Sequence, residues 1–84
     1  MTYQVIIKNR ASKDLQSLPK PIQLLISGAI QKLAVDPHPP TARKLINRPG
    51  YRVRIGDYRI IYTVQNEILM INVIRIGHRR EVYR

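Results

Sequence analysis

The sequence predicts a small α+β domain in which a helical hairpin packs on one face of a mainly antiparallel sheet. A short strand pattern opens the chain, two helical patterns follow, and three strand patterns fill the second half, in the order β-α-α-β-β-β. Strands segregated from helices in this way favour a layered α+β fold. The length of 84 residues suits one domain, which we expect to span residues 1–84.

The first half of the chain is predicted to supply one strand and both helices. The segment 3–7 is rich in Tyr, Val and Ile, which indicates a short strand. Apolar residues at helical spacing from Ala11 to Leu18 then predict a short amphipathic helix. A second helix with a continuous apolar stripe is expected to begin near Pro21, because proline suits the first helical turn. The proline-rich segment 36–40 ends it.

The second half is predicted to form three consecutive antiparallel strands. They are expected at 51–55, 58–64 and 68–76, and a tight Gly-Asp turn joins the first two. Gly77 is predicted to end the last strand. Residues 41–50 are expected to form an ordered but irregular connection between the helices and these strands.

Composition excludes several kinds of site. The chain has no cysteine, which rules out disulfides and a cysteine nucleophile, and its two histidines make a zinc site unexpected. We therefore predict no metal and no cofactor. No signal-peptide pattern opens the sequence, and no apolar stretch approaches the roughly 20 residues that cross a bilayer. A cytoplasmic protein without a membrane partner is expected.

Positive charge is concentrated in the second half. The formal net charge is +10, and nine of the ten arginines follow residue 42. Arginine presents a planar fork that matches phosphate oxygens and stacks on bases. A solubility surface would mix lysine with glutamate, whereas this chain has only five acidic residues. An acidic partner, nucleic acid or protein, explains the charge better than solubility, which is the plain alternative.

The strand pattern predicts that three arginines share one sheet face. With Gly56 and Asp57 as the two loop residues of a hairpin, Arg54 lies opposite Arg59. Side chains alternate between faces, so Arg52 joins them, while the other face is apolar enough to pack against helices. Like charges side by side cost stability, which an external anion such as phosphate would offset. The alternative is a solvated strand face.

Three residues near the end of the sequence can extend this cluster. Arg79 follows the last predicted strand and can fold back toward the other arginines. Tyr83 can stack on a base, or can simply pack at the end of the domain. His78 has basic neighbours that favour a neutral imidazole, which could act as a base; the alternative is an ordinary surface histidine.

Several short motifs of the second half occur together. Tyr-Arg-hydrophobic-hydrophobic-Tyr at 58–62 is followed by Gly-x-Arg at 77–79 and Glu-Val-Tyr at 81–83, and Lys44-Leu45 and Tyr-Arg-Val-Arg at 51–54 precede them. In these motifs, and in element order over nearly the whole chain, the sequence resembles the RelE family, within the RelE/ParE superfamily of bacterial toxin–antitoxin toxins.

The resemblance implies a ribonuclease that works without a metal. RelE-type toxins enter the ribosomal A site and cut messenger RNA there, by attack of the ribose 2′-hydroxyl on the adjacent phosphate. Arg52 and Arg54 would bind the RNA, and one of them would help to draw off the hydroxyl proton. Arg59 would stabilise the charged phosphorane, Arg79 would assist the leaving 5′-oxygen, and Tyr83 would stack on a codon base. Further candidates for RNA binding are Lys44, Arg48, His78 and Arg80.

One departure from the family bears on the chemistry. The family commonly has lysines where Arg52 and Arg54 stand, and arginine is a poor general base because it stays protonated. Proton abstraction would then rely on His78, on ribosomal RNA groups or on electrostatics alone. The resemblance also implies a cognate antitoxin that covers the basic face in a hetero-oligomer. Two alternatives stay open: a ParE-like toxin that blocks DNA gyrase by binding, and a catalytically inactive, basic RNA-binding relative.

Overall fold

The computed structural model describes residues 2–78 and confirms the predicted α+β class. Neither helix in that range is long and apolar enough to span a membrane. In chain order the elements are β1 (Gln4–Ile7), α1 (Asn9–Gln16), α2 (Lys20–Val35), β2 (Arg43–Lys44), β3 (Tyr51–Ile55), β4 (Tyr58–Gln65), a 3-10 turn (Asn66–Ile68) and β5 (Met70–His78).

The strands form one mixed sheet in the order β1-β5-β4-β3-β2. The first strand, β1, runs parallel to β5, and every other neighbouring pair is antiparallel, which confirms the prediction of a mainly antiparallel sheet. The chain leaves β1 at one edge and passes through both helices. It then enters β2 at the opposite edge, so the β3–β4 hairpin lies between β5 and this short edge strand.

The helices cover one face of the sheet and build the core there. Ile60, Ile71 and Val73 are fully buried in the sheet, and Ile26 is fully buried in α2. Burying an apolar side chain of this size contributes about 1.5–3 kcal/mol, so this helix-facing surface supplies most of the apolar stabilisation. The members of the core cluster are Ala11, Ile26, Ile30, Leu33, Val53, Ile60, Tyr62, Ile71, Val73 and Ile76.

Two of the predicted boundaries around the strands are wrong. The connection 41–50 contains β2, which pairs antiparallel with the first residues of β3. The last strand begins at Met70 and not at residue 68, because Asn66–Ile68 form a 3-10 turn. Leu69 follows with a positive φ of 51°, which reverses the chain into β5.

The prediction that Gly77 ends the last strand is also wrong. Gly77 is buried and pairs with Arg59 of β4, and β5 continues to His78. A glycine weakens a strand interior but does not interrupt the ladder, since its amide and carbonyl stay available. The strand therefore extends two residues beyond the predicted end at Ile76.

The hydroxyl of Tyr62 connects the sheet to the segment that follows α2. Tyr62 is fully buried, and its hydroxyl donates a 2.7 Å hydrogen bond to the carbonyl oxygen of Pro37. Burial raises the pKa of Tyr62 to about 12, helped by the charges of Tyr51 and Asp36, so the phenol stays a donor at neutral pH.

Replacing Tyr62 with Phe is expected to lower the free energy of unfolding by about 1–3 kcal/mol, because the Pro37 carbonyl loses its donor inside the protein. Urea unfolding followed by circular dichroism measures the change. Tyr58→Phe, on the neighbouring part of β4, is the matched control with a change of less than about 0.5 kcal/mol. Equal losses in the two variants would contradict the assignment.

Candidate nucleic-acid interface

The β3–β4 hairpin places three arginines on the sheet face that the helices leave uncovered. Arg54 pairs with Arg59 across the hairpin and Arg52 pairs with Ile61, which confirms the predicted register. Their strand neighbours Val53 and Ile60 point into the core on the opposite face. We call the surface defined by Arg52, Arg54 and Arg59 the cationic face.

The cationic face has an apolar floor. Ile61 lies on this face by register, yet only 4% of its surface is exposed. Arg52 and Arg59 are half-buried and Arg54 is exposed. Long basic side chains can lay their methylene groups over apolar surface while the charged ends reach water. Of the three arginines, Arg54 presents the most surface to solvent.

A fourth arginine on this face is held by the helical layer. The register pairs Arg75 with Ile61, and the Arg75 Nε donates to a carboxylate oxygen of Asp14 at 2.9 Å. The same oxygen accepts the amide of Ile76 at 3.0 Å, and Arg10 lies 3.4 Å from the other oxygen. Sequence reasoning left Arg75 unplaced and missed Asp14, because no local spacing relates two residues on different elements.

Asp14 is charged because its partners outweigh its burial. Partial burial acts to raise the pKa of Asp14, but the hydrogen bonds from the Ile76 amide and from Arg75 bring the pKa below its usual value of 3.8. A carboxylate that accepts hydrogen bonds in its charged form is stabilised in that form. Asp14 is therefore an anionic attachment point for α1 at the edge of β5.

Beside the cationic face lies a second basic feature. Lys44, Arg48 and Arg52 line a cavity of about 380 Å³ together with Leu45 and Ile46. We call this cavity the basic pocket. It exists because β2 pairs with β3, so the chain of residues 45–50 bends next to Arg52. Lys44 and Arg48 are predicted RNA-binding residues, but no local sequence pattern places them beside Arg52.

Arg43 is a basic residue that the sequence analysis did not single out. It pairs directly with Arg52, and its guanidinium Nη1 donates to the carbonyl oxygens of Pro40 and Ala42 at 2.7 and 2.9 Å. These two bonds give Arg43 a structural role in the turn that precedes β2. Only the pairing of β2 reveals its position, and no sequence pattern indicated that strand.

The structure does not bring His78 together with the arginines. His78 pairs with Tyr58, which packs against the core on the helix-covered face, and the two rings meet edge to face at 5.9 Å. Its neighbour Gly77 occupies the corresponding position on the cationic face. Since side chains alternate, this placement argues against His78 as a base in a site built from Arg54 and Arg59.

The remaining predicted site residues, Arg79, Arg80 and Tyr83, lie outside the described residues 2–78, so their roles stay predictions. Within the described range, no group of three or more His, Cys, Asp or Glu side chains is arranged to hold a metal ion. The arginines of the cationic face and the cations of the basic pocket offer positive charge and hydrogen-bond donation. Both suit a phosphate-bearing ligand.

Comparison with known proteins assigns this fold to a family. Residues 5–83 match the family described as ParE toxin of type II toxin-antitoxin system, parDE. A RelE-like protein of Escherichia coli is 32% identical over 81 residues, which cover 94% of this chain and 85% of that protein. Toxin RelG of Mycobacterium tuberculosis is 30% identical, over 100% of this chain and 99% of its own length.

A solved structure gives the same result. In the archaeal RelE–RelB complex from Pyrococcus horikoshii, one chain superposes with a TM-score of 0.80 and 31% identity, over 98% of this chain and 100% of that one. The fold and these matches define a class, the small toxins of type II toxin–antitoxin systems. Within it, the chain belongs to the RelE family of the RelE/ParE superfamily.

Proposed function

We propose that this toxin is a ribosome-dependent endoribonuclease that cuts messenger RNA in the A site. The observation that supports it most is the register of the β3–β4 hairpin, which places Arg52, Arg54 and Arg59 on one face away from the core. A purely structural hairpin has no need for adjacent like charges, which cost stability when they lie directly opposite each other. A bound phosphodiester would offset the repulsion between these charges.

The proposed reaction is an internal transfer of the phosphodiester. The 2′-oxygen bonds to the adjacent phosphorus and the bond from phosphorus to the 5′-oxygen breaks, which leaves a 2′,3′-cyclic phosphate and a free 5′-hydroxyl. Arg59 and Arg54 neutralise the phosphorane, which carries more negative charge than the substrate. Fixed positive charge aimed at a charge that develops in the transition state is often the largest catalytic term.

Proton transfer in this reaction does not use an arginine as the base. Arginine stays protonated, so Arg52 and Arg54 orient the strand and stabilise the negative charge that develops on the 2′-oxygen, without acting as bases. Groups of the ribosomal RNA accept the 2′-proton in this proposal, which explains a requirement for the ribosome. By the family resemblance, Arg79 stabilises the negative charge on the leaving 5′-oxygen, which takes a proton from water to form the 5′-hydroxyl, and Tyr83 stacks on a base.

We further propose that a cognate antitoxin binds this chain in a hetero-oligomer. The P. horikoshii relative was solved as a complex of RelE with RelB. A net charge of +10 favours a partner with acidic segments, because opposite charges raise the association rate. Binding over the cationic face would exclude RNA and so suppress toxicity.

Inducible expression with mapping of messenger RNA ends tests the nuclease proposal. We expect new ends inside translated codons, within minutes of induction, and none in untranslated transcripts. Purified toxin should cut the same message only when ribosomes are present. Growth arrest without such ends would overturn the proposal.

A ParE-like activity is the second candidate, because the matching family description is that of the ParE toxin. Such a toxin would block DNA gyrase by binding and would leave RNA intact. Supercoiling assays at equal molar toxin and gyrase separate the two candidates. We expect full supercoiling activity, and inhibition at that ratio would favour the ParE-like function.

His78→Gln is expected to leave the cleavage rate within about twofold of the unaltered toxin, because its side chain starts on the face opposite Arg54 and Arg59. The rate on ribosome-bound message under single-turnover conditions is the measurement. A loss of 100-fold or more, which is expected when a general base is removed, would show that His78 takes part in the reaction.

A further inference from the structure

We propose that the basic pocket, formed by Lys44, Leu45, Ile46, Arg48 and Arg52, binds a second phosphodiester of a single-stranded RNA segment, apart from the one to be cut. The inference rests on the proposed function and extends it, since it assigns a ligand to a cavity outside the cationic face. The ligand class is an RNA phosphodiester, and its source is either the message or the ribosomal RNA.

Charge is the first argument for this site. Lys44, Arg48 and Arg52 bring three positive charges to one cavity, and no Asp or Glu occurs between Asp36 and Asp57 in the sequence. Within the described part of the chain, Asp14 forms ion pairs with Arg10 and Arg75, and none is found at Lys44, Arg48 or Arg52. A cavity with three cations, and with no acidic partner among residues 2–78, attracts an anion.

Size and lining are the second argument. A volume of about 380 Å³ lies within the range of roughly 300–1,000 Å³ that is typical of ligand sites. Leu45 and Ile46 add an apolar wall, and 84% of the Ile46 surface is exposed. A nucleotide has both an anionic phosphate and flat apolar surfaces, so it complements a pocket with cations on one side and aliphatic groups on the other.

Rigidity is the third argument, because a site that is formed beforehand loses less entropy on binding. The amide of Leu45 donates to the Gly50 carbonyl oxygen at 2.9 Å and closes the bend. Gly50 has a φ of 116°, and a Cβ there would lie 2.9 Å from the Tyr62 carbonyl oxygen. Only glycine fits, so the wall of the basic pocket is packed directly against β4.

Continuity with the cationic face favours RNA over an acidic peptide. Arg52 belongs to both the basic pocket and the cationic face, and Arg54 lies two residues along β3, about 7 Å away. A strand bound at Arg54 and Arg59 therefore lies about 7 Å from an arginine that lines the basic pocket. The two features form one continuous path, as expected for a polymer with regularly repeated phosphates.

The test compares two variants that lose the same charge. Lys44→Gln/Arg48→Gln alters the basic pocket, and Lys13→Gln/Lys20→Gln removes two exposed charges from the helices. The probe is a labelled 12-nucleotide RNA with 2′-O-methyl groups, which cannot be cut because the attacking hydroxyl is blocked. Fluorescence anisotropy measures Kd for this RNA at salt concentrations from 50 to 300 mM. We expect the pocket variant to raise Kd about 10-fold and to reduce the salt slope by about 0.7, for the loss of one phosphate contact. The helix variant keeps the slope.

Further arms identify the source of the phosphate and exclude a protein ligand. If the pocket variant binds the free RNA more weakly, the basic pocket is assigned to the message. If it binds more weakly only to ribosomes with a vacant A site, the basic pocket is assigned to ribosomal RNA. Unchanged binding in both arms overturns the proposal, as does an equal loss in the helix variant. A loss seen only with an oligo-glutamate peptide also overturns it. Failure of the nuclease proposal would appear separately, as absent RNA cleavage by the unaltered toxin.

Discussion

Arg59→Ala is expected to lower the rate of message cleavage on the ribosome by about 10²–10³-fold. Arg59 pairs with Arg54 across the hairpin and with Gly77 of β5, at the centre of the cationic face. Removing one preoriented donor from a site that stabilises an oxyanion costs this much in other enzymes. The single-turnover rate on ribosomes programmed with one message is the measurement.

The packing of Arg59 requires a second variant. Its Nε is buried, so its side chain contributes to the packing of the cationic face, and an alanine there leaves a gap beside Ile61. Arg59→Met keeps the aliphatic stem and removes the charge. We expect the same loss of rate as in Arg59→Ala, with a melting temperature close to that of the unaltered protein.

Arg10→Ala is the matched control for the loss of an arginine. Arg10 lies on α1 with 66% of its side chain exposed, and its ion pair with Asp14 spans 3.4 Å. A surface pair of this kind contributes about 0.2–1 kcal/mol and no chemistry, so the cleavage rate is expected to stay within twofold. A folded Arg59→Met variant that cuts at the unaltered rate would remove Arg59 from the proposed mechanism.

The sequence was sufficient to predict the hairpin that carries the cationic face, because its register follows from local chemistry. Gly56 has a φ of 60°, which a two-residue turn requires, so Gly-Asp fixes the turn and the turn fixes which residues pair. Alternation along each strand then assigns the faces. The order of the elements was predictable for the same reason, since strand and helix periodicities are local patterns.

Features that depend on distant contacts could not be predicted in this way. Asp14 and Arg75 are 61 positions apart, and nothing in either neighbourhood indicates the other. The short strand β2 has only two residues, too few to show a periodic pattern. The side of the sheet on which His78 lies depends on whether β5 continues past Gly77. Pairing with β4 carries the strand on to His78, and the presence of a glycine at position 77 does not indicate this.

Asp14→Ala is expected to lower the free energy of unfolding by about 2–3 kcal/mol, because it removes a charged acceptor from two donors. For a domain of this size, each kcal/mol corresponds to about 4–8 °C in melting temperature. The expected decrease is therefore about 8–24 °C, measured by calorimetry at pH 7. Glu67→Gln, which changes an exposed acidic residue, is the control with little effect.

The dependence on pH separates the charge of Asp14 from its shape. The folded-state pKa of Asp14 is below its usual value, so the stabilisation by the charge is complete above the unfolded pKa of about 3.9 and is lost as pH falls through the folded value. Asp14→Asn keeps the shape and cannot ionise. We expect the difference in stability between the unaltered protein and Asp14→Asn to be constant from pH 7 to about 5 and to shrink below that.

The position of Asp14 explains why so much depends on one side chain. The strand β1 pairs with β5 only as far as Val73, and the Lys8 amide makes the last backbone bond to this edge, 3.0 Å from the Val73 carbonyl oxygen. Beyond that point, the Asp14 carboxylate takes the Ile76 amide that a longer β1 would have bonded, and it orients Arg75 toward α1. A difference that stays constant down to pH 3 would show that Asp14 acts through packing and not through its charge.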